Sequence, residues 1–248
     1  MVTTMSRESR IPLYCQIYDA LRERIENGAY LPGNQIPTEA ELSRNFAVSS
    51  ITVKQAVKKL VSEGALYRIQ GKGTFVCQPK VNRKLNRLIS FNDEMLQKGM
   101  APSTTVLEID VVPARRMVAE ALGIREGDEV TLIRRLRIAD GGALAVQTSY
   151  VPLALAPTLA EKGDMLEGSL YRILAEDFEL CPFRGKESYC AVSVSEPEAG
   201  ILDVPEGSPA FAVKRLAYLP DNRPVEYVES ILRGDKYVLD VELQAPDM

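Results

Sequence analysis

The chain has 248 residues, of which 46% are hydrophobic and 26% charged, and this composition is typical of a soluble globular protein with one large domain or two modest ones. It contains no histidine, which excludes Ser-His-Asp and Cys-His catalysis and most zinc sites. The net charge of −4 conceals an asymmetry, because residues 1–80 hold 11 Lys and Arg against 7 Asp and Glu (net +4), whereas residues 81–248 hold 19 against 27 (net −8). The basic N-terminal part is therefore the one expected to meet a polyanion.

The cellular compartment is predicted from what the sequence lacks. No stretch approaches the ~18 apolar residues of a membrane span, and the start MVTTMSRESR has no apolar export signal. Four scattered cysteines without CxxC spacing are best interpreted as reduced thiols. We expect a cytoplasmic protein with no membrane contact, no metal and no cofactor. Those cysteines are Cys15, Cys77, Cys181 and Cys190.

The first predicted element is a helix over residues 12–27. Its apolar residues recur at helical spacing and form one stripe, and Gly28 is a natural stop just past its end. The stretch PGNQIP, residues 32–37, is predicted to be a loop. The stripe consists of Leu13, Ile17, Ala20, Leu21 and Ile25.

Two further helices are predicted in close succession. Thr38 and Glu41 have the spacing of a capping box, so the second helix runs from about residue 39 to 46. Ser49 is a suitable N-cap for the third helix, which Gly64 ends. Two helices joined by about three residues are typical of a helix-turn-helix. The apolar stripe of the third helix is Val53, Ala56, Val57, Leu60 and Val61.

A hairpin is predicted after the third helix. The β-prone runs ALYRI and TFVCQ flank the tip QGKG, residues 70–73. Helix, helix-turn-helix and hairpin together form a winged helix. The tip residues Gly71, Lys72 and Gly73 allow the backbone to turn tightly and approach phosphates or a minor groove. An ordinary surface turn is the alternative.

The exposed side of the third helix carries the residues predicted to read DNA. In a helix-turn-helix, the N-terminal part of the second helix of the motif meets base edges. Lysine donates to guanine, and glutamine pairs with adenine. For Lys58 and Lys59, further along, DNA contact and simple solvation both stay open. The predicted reading residues are Ser49, Ser50, Thr52, Lys54 and Gln55.

Residues 11–76 resemble the DNA-binding domain of GntR-type bacterial transcription regulators. The PLY…Q start, the PTE cap and the EG…GKGTFV wing carry the resemblance. It implies a winged helix-turn-helix domain, here over residues 7–77, that binds double-stranded operator DNA, with Arg44, Arg68 and Lys72 as backbone contacts. The family usually has arginine where Ser50 and Lys54 stand, so the base contacts of relatives are not transferred to these positions.

Residues 78–88 form a basic stretch that we interpret as a linker. It either touches DNA phosphates or is a solvated connector. Beyond it an internal repeat begins, because AEALGIREGDEVTLIRRL (119–136) matches AGILDVPEGSPAFAVKRL (199–216) at a constant offset. Each copy is predicted to be a short helix, a strand, a polar turn and a second strand. Two such halves around one mixed or antiparallel sheet make an α+β domain with a crevice for a small ligand.

Two arginines of the first repeat are candidates for that crevice. In a strand, Arg135 and Arg137 point to one face with Thr131 and Ile133, while Arg134 shares the apolar opposite face. Adjacent buried arginines repel unless an anion lies between them, and phosphate or carboxylate accepts paired guanidinium donors well. The alternative is a pair of surface arginines matched with acids of this acidic domain.

Residues 89–243 resemble the UTRA effector domain of the HutC branch of GntR regulators, which is similar in fold to chorismate lyase. The stretches SFNDEMLQKGMAPST, EGDEVTLIRRLRIADG, EGSLYRIL and RPVEYVESILRGDKYVLDVEL carry the resemblance. It implies an effector-binding and dimerisation domain over residues 89–248. A helix cap and a core side chain are the alternative roles of Ser169 and Tyr171. The implied effector contacts are Ser90, Phe91, Arg135, Arg137, Ser169, Tyr171 and Glu226.

We therefore expect a ligand-responsive transcription regulator, most simply a repressor, that acts as a homodimer on a palindromic operator. A small anionic metabolite, a sugar phosphate or a carboxylate, is its expected effector. Two alternatives stay open. One is an enzyme that acts on a small aromatic acid through a chorismate-lyase-like domain, although the sequence offers no catalytic residues for it. The other is a constitutive architectural DNA binder.

Overall fold

The computed structural model describes residues 11–77, 80–85 and 87–242. The chain divides into two compact units between residues 79 and 80. The predicted domain limits were 7–77, 78–88 and 89–248. Parts of these ranges lie outside the described residues, namely 7–10, 78–79, 86 and 243–248.

The first unit consists of three helices followed by a hairpin. Helix α1 spans Leu13–Glu26, α2 Glu39–Phe46 and α3 Ser50–Ser62, and the strands β1 (Leu66–Ile69) and β2 (Gly73–Val76) pair antiparallel. The predicted winged helix-turn-helix is confirmed. The side chains of Thr38 and Glu41 form the expected capping box, and the Ser49 hydroxyl accepts a hydrogen bond from the Thr52 amide at 3.3 Å.

A single apolar core joins the three helices to the hairpin. The predicted stripe of α3 is buried except for the partly exposed Val61. Helix α1 buries Tyr18 in addition to Ile17 and Leu21 and leaves the rest of its predicted stripe partly exposed. Full burial stabilises each large side chain by about 1.5–3 kcal/mol. Since α3 contributes a whole stripe to this core, its orientation is fixed and its opposite face is held outward. The buried residues of α2 and α3 are Leu42, Phe46, Val53, Ala56, Val57 and Leu60.

The predicted loop at residues 32–37 also supports the hairpin. Gln35 forms an isolated bridge with Phe75 of β2, and the Ile36 amide donates to the Thr74 carbonyl at 2.9 Å. The Gln35 side chain lies across the turn, where its amide donates to the Lys72 carbonyl at 3.0 Å. A Cβ on Gly73 would overlap that Gln35 nitrogen, and the φ of Gly73 is +132°, so the tip requires glycine there.

The second unit is built around a six-stranded antiparallel sheet with the strand order β4-β5-β6-β9-β8-β7. Its elements in chain order are β3 (Val81–Lys84), α4 (Phe91–Gln97), β4 (Pro102–Pro113), α5 (Arg116–Leu122), β5 (Glu129–Ala139), β6 (Gly142–Pro152), a 3₁₀ segment (Leu159–Glu167), α6 (Leu170–Phe178), β7 (Arg184–Ser193), α7 (Glu198–Leu202), β8 (Pro209–Tyr218), β9 (Pro224–Arg233) and β10 (Tyr237–Asp240).

The sheet consists of the two predicted repeat halves. Helix α5 with β5 and β6 corresponds to α7 with β8 and β9, and the two hairpins meet where β6 pairs with β9. Each half is extended on its outer side by a strand that the repeat did not predict, β4 in the first half and β7 in the second. The domain is α+β, as expected.

A small parallel pair differs from the sequence interpretation. Residues 81–84 lie within the predicted linker, but they form β3, which pairs with β10 in the parallel register Val81 to Tyr237. Val81 and Tyr237 are 1% and 4% exposed and pack against Met95 in one apolar cluster. This burial explains why the segment is ordered as part of the second unit. Strand β3 is the first strand of that unit.

The two faces of the sheet differ in what covers them. Helices α5 and α7 pack on the face that includes Val130 and Val146. On the other face, one apolar cluster includes α6 and the 3₁₀ segment, and a second includes β3 and α4. Alternation along β5 places Thr131, Ile133, Arg135 and Arg137 on this second face, as predicted.

Candidate functional site

The exposed face of α3 is the candidate DNA-binding surface of the first unit. Four exposed residues lie at positions i, i+3, i+4 and i+7, opposite the buried stripe, and two of them are lysines. Because the stripe and this face are on opposite sides of one helix, packing in the core presents these residues to solvent together. They are Ile51, Lys54, Gln55 and Lys58.

The start of α3 combines capping with the predicted contact residues. The hydroxyl oxygens of Ser49 and Thr52 lie 2.8 Å apart, and Ser49 also caps the Thr52 amide. Ser50 follows Ser49 directly and is exposed. The hydroxyls of Ser49 and Thr52 therefore fix the beginning of the helix, and they still have acceptor capacity for a contact with DNA.

The remaining predicted DNA contacts lie on the wing and on α2. Gly71 has a φ of +73° and Lys72 is exposed at the tip. Arg68 of β1 is already paired with Glu39 at 2.6 Å, so a phosphate contact by Arg68 would compete with this ion pair. Arg44 is exposed in the last turn of α2.

A cavity of about 50 Å³ lies in the second unit between the two apolar clusters of the second sheet face. It is lined by residues from β3, α4, β5, β6, α6, β8, β9 and β10, including the first residues of α4 and α6. All seven residues that the resemblance implied as effector contacts line it, although they come from widely separated parts of the chain. They are Ser90, Phe91, Arg135, Arg137, Ser169, Tyr171 and Glu226.

Arg135 and Arg137 are buried in the wall of this cavity, with 1% and 5% of their surface exposed. Arg135 donates to the Leu166 carbonyl at 3.3 Å and to the Ser149 hydroxyl at 3.5 Å. Arg137 donates to Gln147 at 2.8 Å and to Thr104 at 3.0 Å, and it also lies over the Phe91 ring. Within the described part of the chain neither guanidinium has a carboxylate within 4.0 Å.

The charge of these two arginines is therefore poorly compensated. Burial lowers the pKa of the Arg135 guanidinium to about 10, although Glu226 and Tyr171 oppose the shift. Burial and the neighbouring Arg135 charge hold the pKa of Arg137 well below its ordinary value. Guanidinium groups stay protonated in proteins, so the lowered pKa values do not mean that the arginines lose their charge. They mean that burying two like charges in a region of low polarity costs free energy. An anion between them would relieve that cost.

Four buried polar atoms of residues that line the cavity have no hydrogen-bond partner among the described residues. They are Asn92 Oδ1, Arg135 Nε, the Tyr171 hydroxyl oxygen and Glu226 Oε2. Burial, reinforced by Glu226, raises the pKa of the Tyr171 phenol, which therefore stays a neutral donor. Unpaired buried donors and acceptors are costly, and here two donors and two acceptors belong to residues that line the same cavity. The set fits a ligand with an anionic group and a hydroxyl.

Ser169 and Ser90 have a structural role as well as a place at the cavity. Ser169 caps α6 by accepting from the Arg172 amide at 3.4 Å, and Ser90 caps α4 by accepting from the Asp93 amide at 3.2 Å. The capping role that was an alternative for Ser169 is thus present. It is compatible with ligand contact, because the Ser169 hydroxyl retains a donor. The Ser90 hydroxyl, by contrast, donates to the Asp93 carboxylate at 2.6 Å.

Two further arginines, which were not among the predicted effector contacts, also line the cavity. Arg83 of β3 pairs with Glu187 at 2.9 Å, and Arg215 of β8 pairs with the same carboxylate. The Tyr189 hydroxyl also donates to Glu187. Although burial acts to raise it, Arg215 and Arg83 hold the pKa of Glu187 below its ordinary range. The internal repeat could have predicted Arg215, because Arg215 is the repeat equivalent of Arg135. No sequence pattern indicated Arg83 or Glu187.

Two other kinds of site, a metal centre and a helical membrane span, are absent from the described ranges. These ranges contain no cluster of three or more Cys, Asp or Glu side chains placed to hold a metal ion. None of the helices in these ranges is long and apolar enough to cross a membrane.

Two protein-family models match the chain. Residues 13–76 match the model of bacterial regulatory proteins of the gntR family, and residues 97–238 match the UTRA domain. The chain is 33% identical over 233 residues to the HTH-type transcriptional repressor NagR of Bacillus subtilis, and the match covers 94% of this chain and 95% of that protein. It is 31% identical over 226 residues to the mannosyl-D-glycerate transport/metabolism system repressor MngR of Escherichia coli, covering 91% and 93%.

A solved structure has the same fold. The crystal structure of PhnF from Mycobacterium smegmatis superposes with a TM-score of 0.68 at 24% sequence identity, and the match covers 92% of this chain and 99% of that one. At this level of identity the likeness concerns the fold.

Proposed function

This chain belongs to the GntR family of bacterial regulatory proteins, in its HutC branch, and we propose that it is a repressor that a small anionic metabolite releases from its operator. The first unit is its DNA-binding domain and the second its UTRA domain. The family and the relatives named above are regulators of transcription, so the enzyme alternative is not supported.

The observation that carries the choice of effector is the pair of buried arginines without a carboxylate partner. Arg135 and Arg137 supply two positive charges to the cavity, and Tyr171 and Arg135 Nε supply unused donors. Glu226 Oε2 is an unused acceptor, which suits a ligand hydroxyl. A sugar phosphate or a hydroxylated carboxylate carries both groups. The name of the relative MngR supports this class, because mannosyl-D-glycerate is an anionic sugar derivative.

The size of the cavity indicates how such a ligand would act. A volume of about 50 Å³ has room for a few water molecules, and a sugar phosphate needs several times more. Binding would therefore favour a conformation in which the lining residues have moved apart. Arg83 is one of them and lies on β3, the strand through which the chain enters the second unit. A displacement of β3 would therefore move the point at which the chain passes from the DNA-binding domain into the second unit.

Release from DNA requires a difference in affinity between two states. A ligand that binds the opened and closed states equally well shifts nothing, so the effector must bind the opened state more tightly. We take the regulator to be a cytoplasmic homodimer, with one winged unit on each half-site of a palindromic operator, since a two-fold protein matches a two-fold site.

The test is a thermal-shift screen of the full chain with sugar phosphates, carboxylic acids and phosphonates. A ligand at 100 times its Kd adds roughly 2.7 kcal/mol of stability, which is a readily measured shift. The same compound should then release the chain from a DNA fragment selected for binding. If no anion stabilises the protein while DNA binding persists, the chain is a constitutive DNA binder and the effector proposal is wrong.

A further inference from the structure

Ile51 has an unusual place on the candidate DNA-binding surface. Its side chain is 70% exposed, and no other large hydrophobic residue in the described part of the first unit is as exposed. A single exposed isoleucine needs no special explanation by itself on a protein surface. Here, however, Lys54 and Gln55 follow at i+3 and i+4, so Ile51 is the apolar member of an otherwise polar and basic face.

Neither folding nor helix formation explains an isoleucine at this position. The core stripe of α3 lies on the opposite side of the helix, and Val53, the nearest member in sequence, is fully buried without help from Ile51. A β-branched residue has a lower helix propensity than alanine or a straight-chain residue. The position is therefore one where a polar side chain would serve the fold as well, and the reason for an apolar residue lies outside the isolated domain.

The major groove of DNA offers one apolar feature on its base edges. Adenine, guanine and cytosine present hydrogen-bonding groups, whereas thymine also presents its C5-methyl group. In a helix-turn-helix, the residues that reach base edges are at the N-terminal end of the recognition helix, and Ile51 is the second residue of α3. Lys54 and Gln55 supply the polar contacts beside it.

We propose that Ile51 is a base-reading residue of this regulator and that it packs against the C5-methyl group of a thymine in each half-site. The inference rests on the proposed operator binding by α3. Helix α3 would then make one apolar base contact among its polar ones. The operator should therefore contain a thymine, or another base with a methyl group at that position, and removal of this methyl group should weaken binding.

The experiment starts from DNA selected from a random pool by the full chain. Each thymine of the selected half-site is then replaced by deoxyuridine, which removes the methyl group and keeps the hydrogen-bonding edge. At one thymine, replacement in a single half-site should lower the affinity of the wild-type chain about 4-fold, as expected for the loss of one buried methyl group. The Ile51→Ala variant should bind the thymine and uracil operators with equal affinity. Ile51→Val should keep most of the difference.

A matched control separates this contact from general effects of apolar substitution. Leu31 is 55% exposed in the same unit but lies outside α3, so Leu31→Ala should retain the full sensitivity to the methyl group. Unchanged thermal unfolding of each variant would show that the domain is intact. If the wild-type chain is indifferent to every thymine-to-uracil replacement, or if Ile51→Ala keeps the same sensitivity, the inference is wrong while operator binding stands. Selection of no DNA at all would overturn the operator proposal and this inference together.

Discussion

Arg135 and Arg215 occupy equivalent positions of the internal repeat and line the same cavity, yet only Arg215 is paired with a carboxylate. The outer strands explain the difference. The residue across from Arg215 on β7 is Glu187, whereas the residue across from Arg135 on β4 is Val106. Although burial acts to lower it, Tyr171 and Glu187 raise the pKa of Arg215 above its ordinary value, while the pKa of Arg135 is lowered. One half of the sheet thus neutralises its arginine internally, and the other leaves its arginine without a carboxylate partner among the described residues.

Replacing Arg135 tests the proposed effector site. We expect Arg135→Met to bind DNA normally and to lose the stabilisation and release caused by the effector. Because the variant removes a buried charge that has no carboxylate partner, its unfolding free energy without ligand should stay level or rise by about 1 kcal/mol. Thermal unfolding with and without the effector, together with a DNA-binding titration, measures both effects. A variant that still responds to the effector would show that the ligand site is elsewhere.

Removing Glu187 should have the opposite effect on stability. Glu187→Gln leaves Arg83 and Arg215 without their carboxylate, and the three side chains are only 12–19% exposed. We expect a loss of about 3 kcal/mol in the unfolding free energy of the second unit at pH 7. Urea denaturation, followed through hydrogen exchange of β8, measures it. Glu176→Gln is a control with the same change of charge in the same unit, outside this ion-pair network.

The effect of Glu187→Gln should depend on pH in a defined direction. The pKa of Glu187 is lowered in the folded state, so its contribution to stability is fully present above the unfolded-state pKa of roughly 4.3. It is lost as the pH falls through the folded-state value. The stability difference between wild type and variant should therefore be constant from pH 6 to 8 and shrink below pH 4. A difference that grows as the pH falls would contradict the ion-pair interpretation.

Lys54 is predicted to contact DNA. Lys54→Ala should weaken operator binding and lower the slope of log K against log salt by about 0.9 if it neutralises one phosphate. A contact with guanine alone would instead relax the preference at one base pair. Titrations at several salt concentrations distinguish these outcomes. Lys186→Ala removes the same charge from an exposed position of the second unit, and an equal effect of that variant would remove Lys54 from the set of contacts.

The two wing glycines provide a matched pair. A Cβ on Gly71 would meet no atom within 4 Å, so Gly71→Ala is strained only by its φ of +73°, which costs about 1 kcal/mol. Gly73→Ala would also displace the Gln35 side chain and break its hydrogen bond to the Lys72 carbonyl. We expect Gly73→Ala to cost about 2 kcal/mol and to weaken DNA binding more. Equal stabilities in thermal unfolding would show that Gln35 does not hold the tip.

Local patterns determined the first unit almost completely. Apolar spacing set the buried face of α3, the Thr38–Glu41 box and Ser49 set where α2 and α3 begin, and glycines marked the wing. All of these signals operate over short stretches, because capping and helical periodicity depend on neighbours within one or two turns. The contribution of Gln35 to the wing was not predicted, since its bridge to Phe75 joins positions on opposite sides of α2, α3 and β1 in the chain.

In the second unit, the sequence determined the repeat, the α+β class and the shared face of Arg135 and Arg137, because strand alternation and the constant offset between the two repeat copies are visible in the chain itself. Only the tertiary structure decided which buried charges are compensated. Strand pairing places Glu187 beside Arg215 and Val106 beside Arg135. Strand β3 brings Arg83 to the cavity by pairing with β10 at the far end of the unit. Strands without a motif supply these neighbours, and their register follows from burial across the whole sheet rather than from any local pattern.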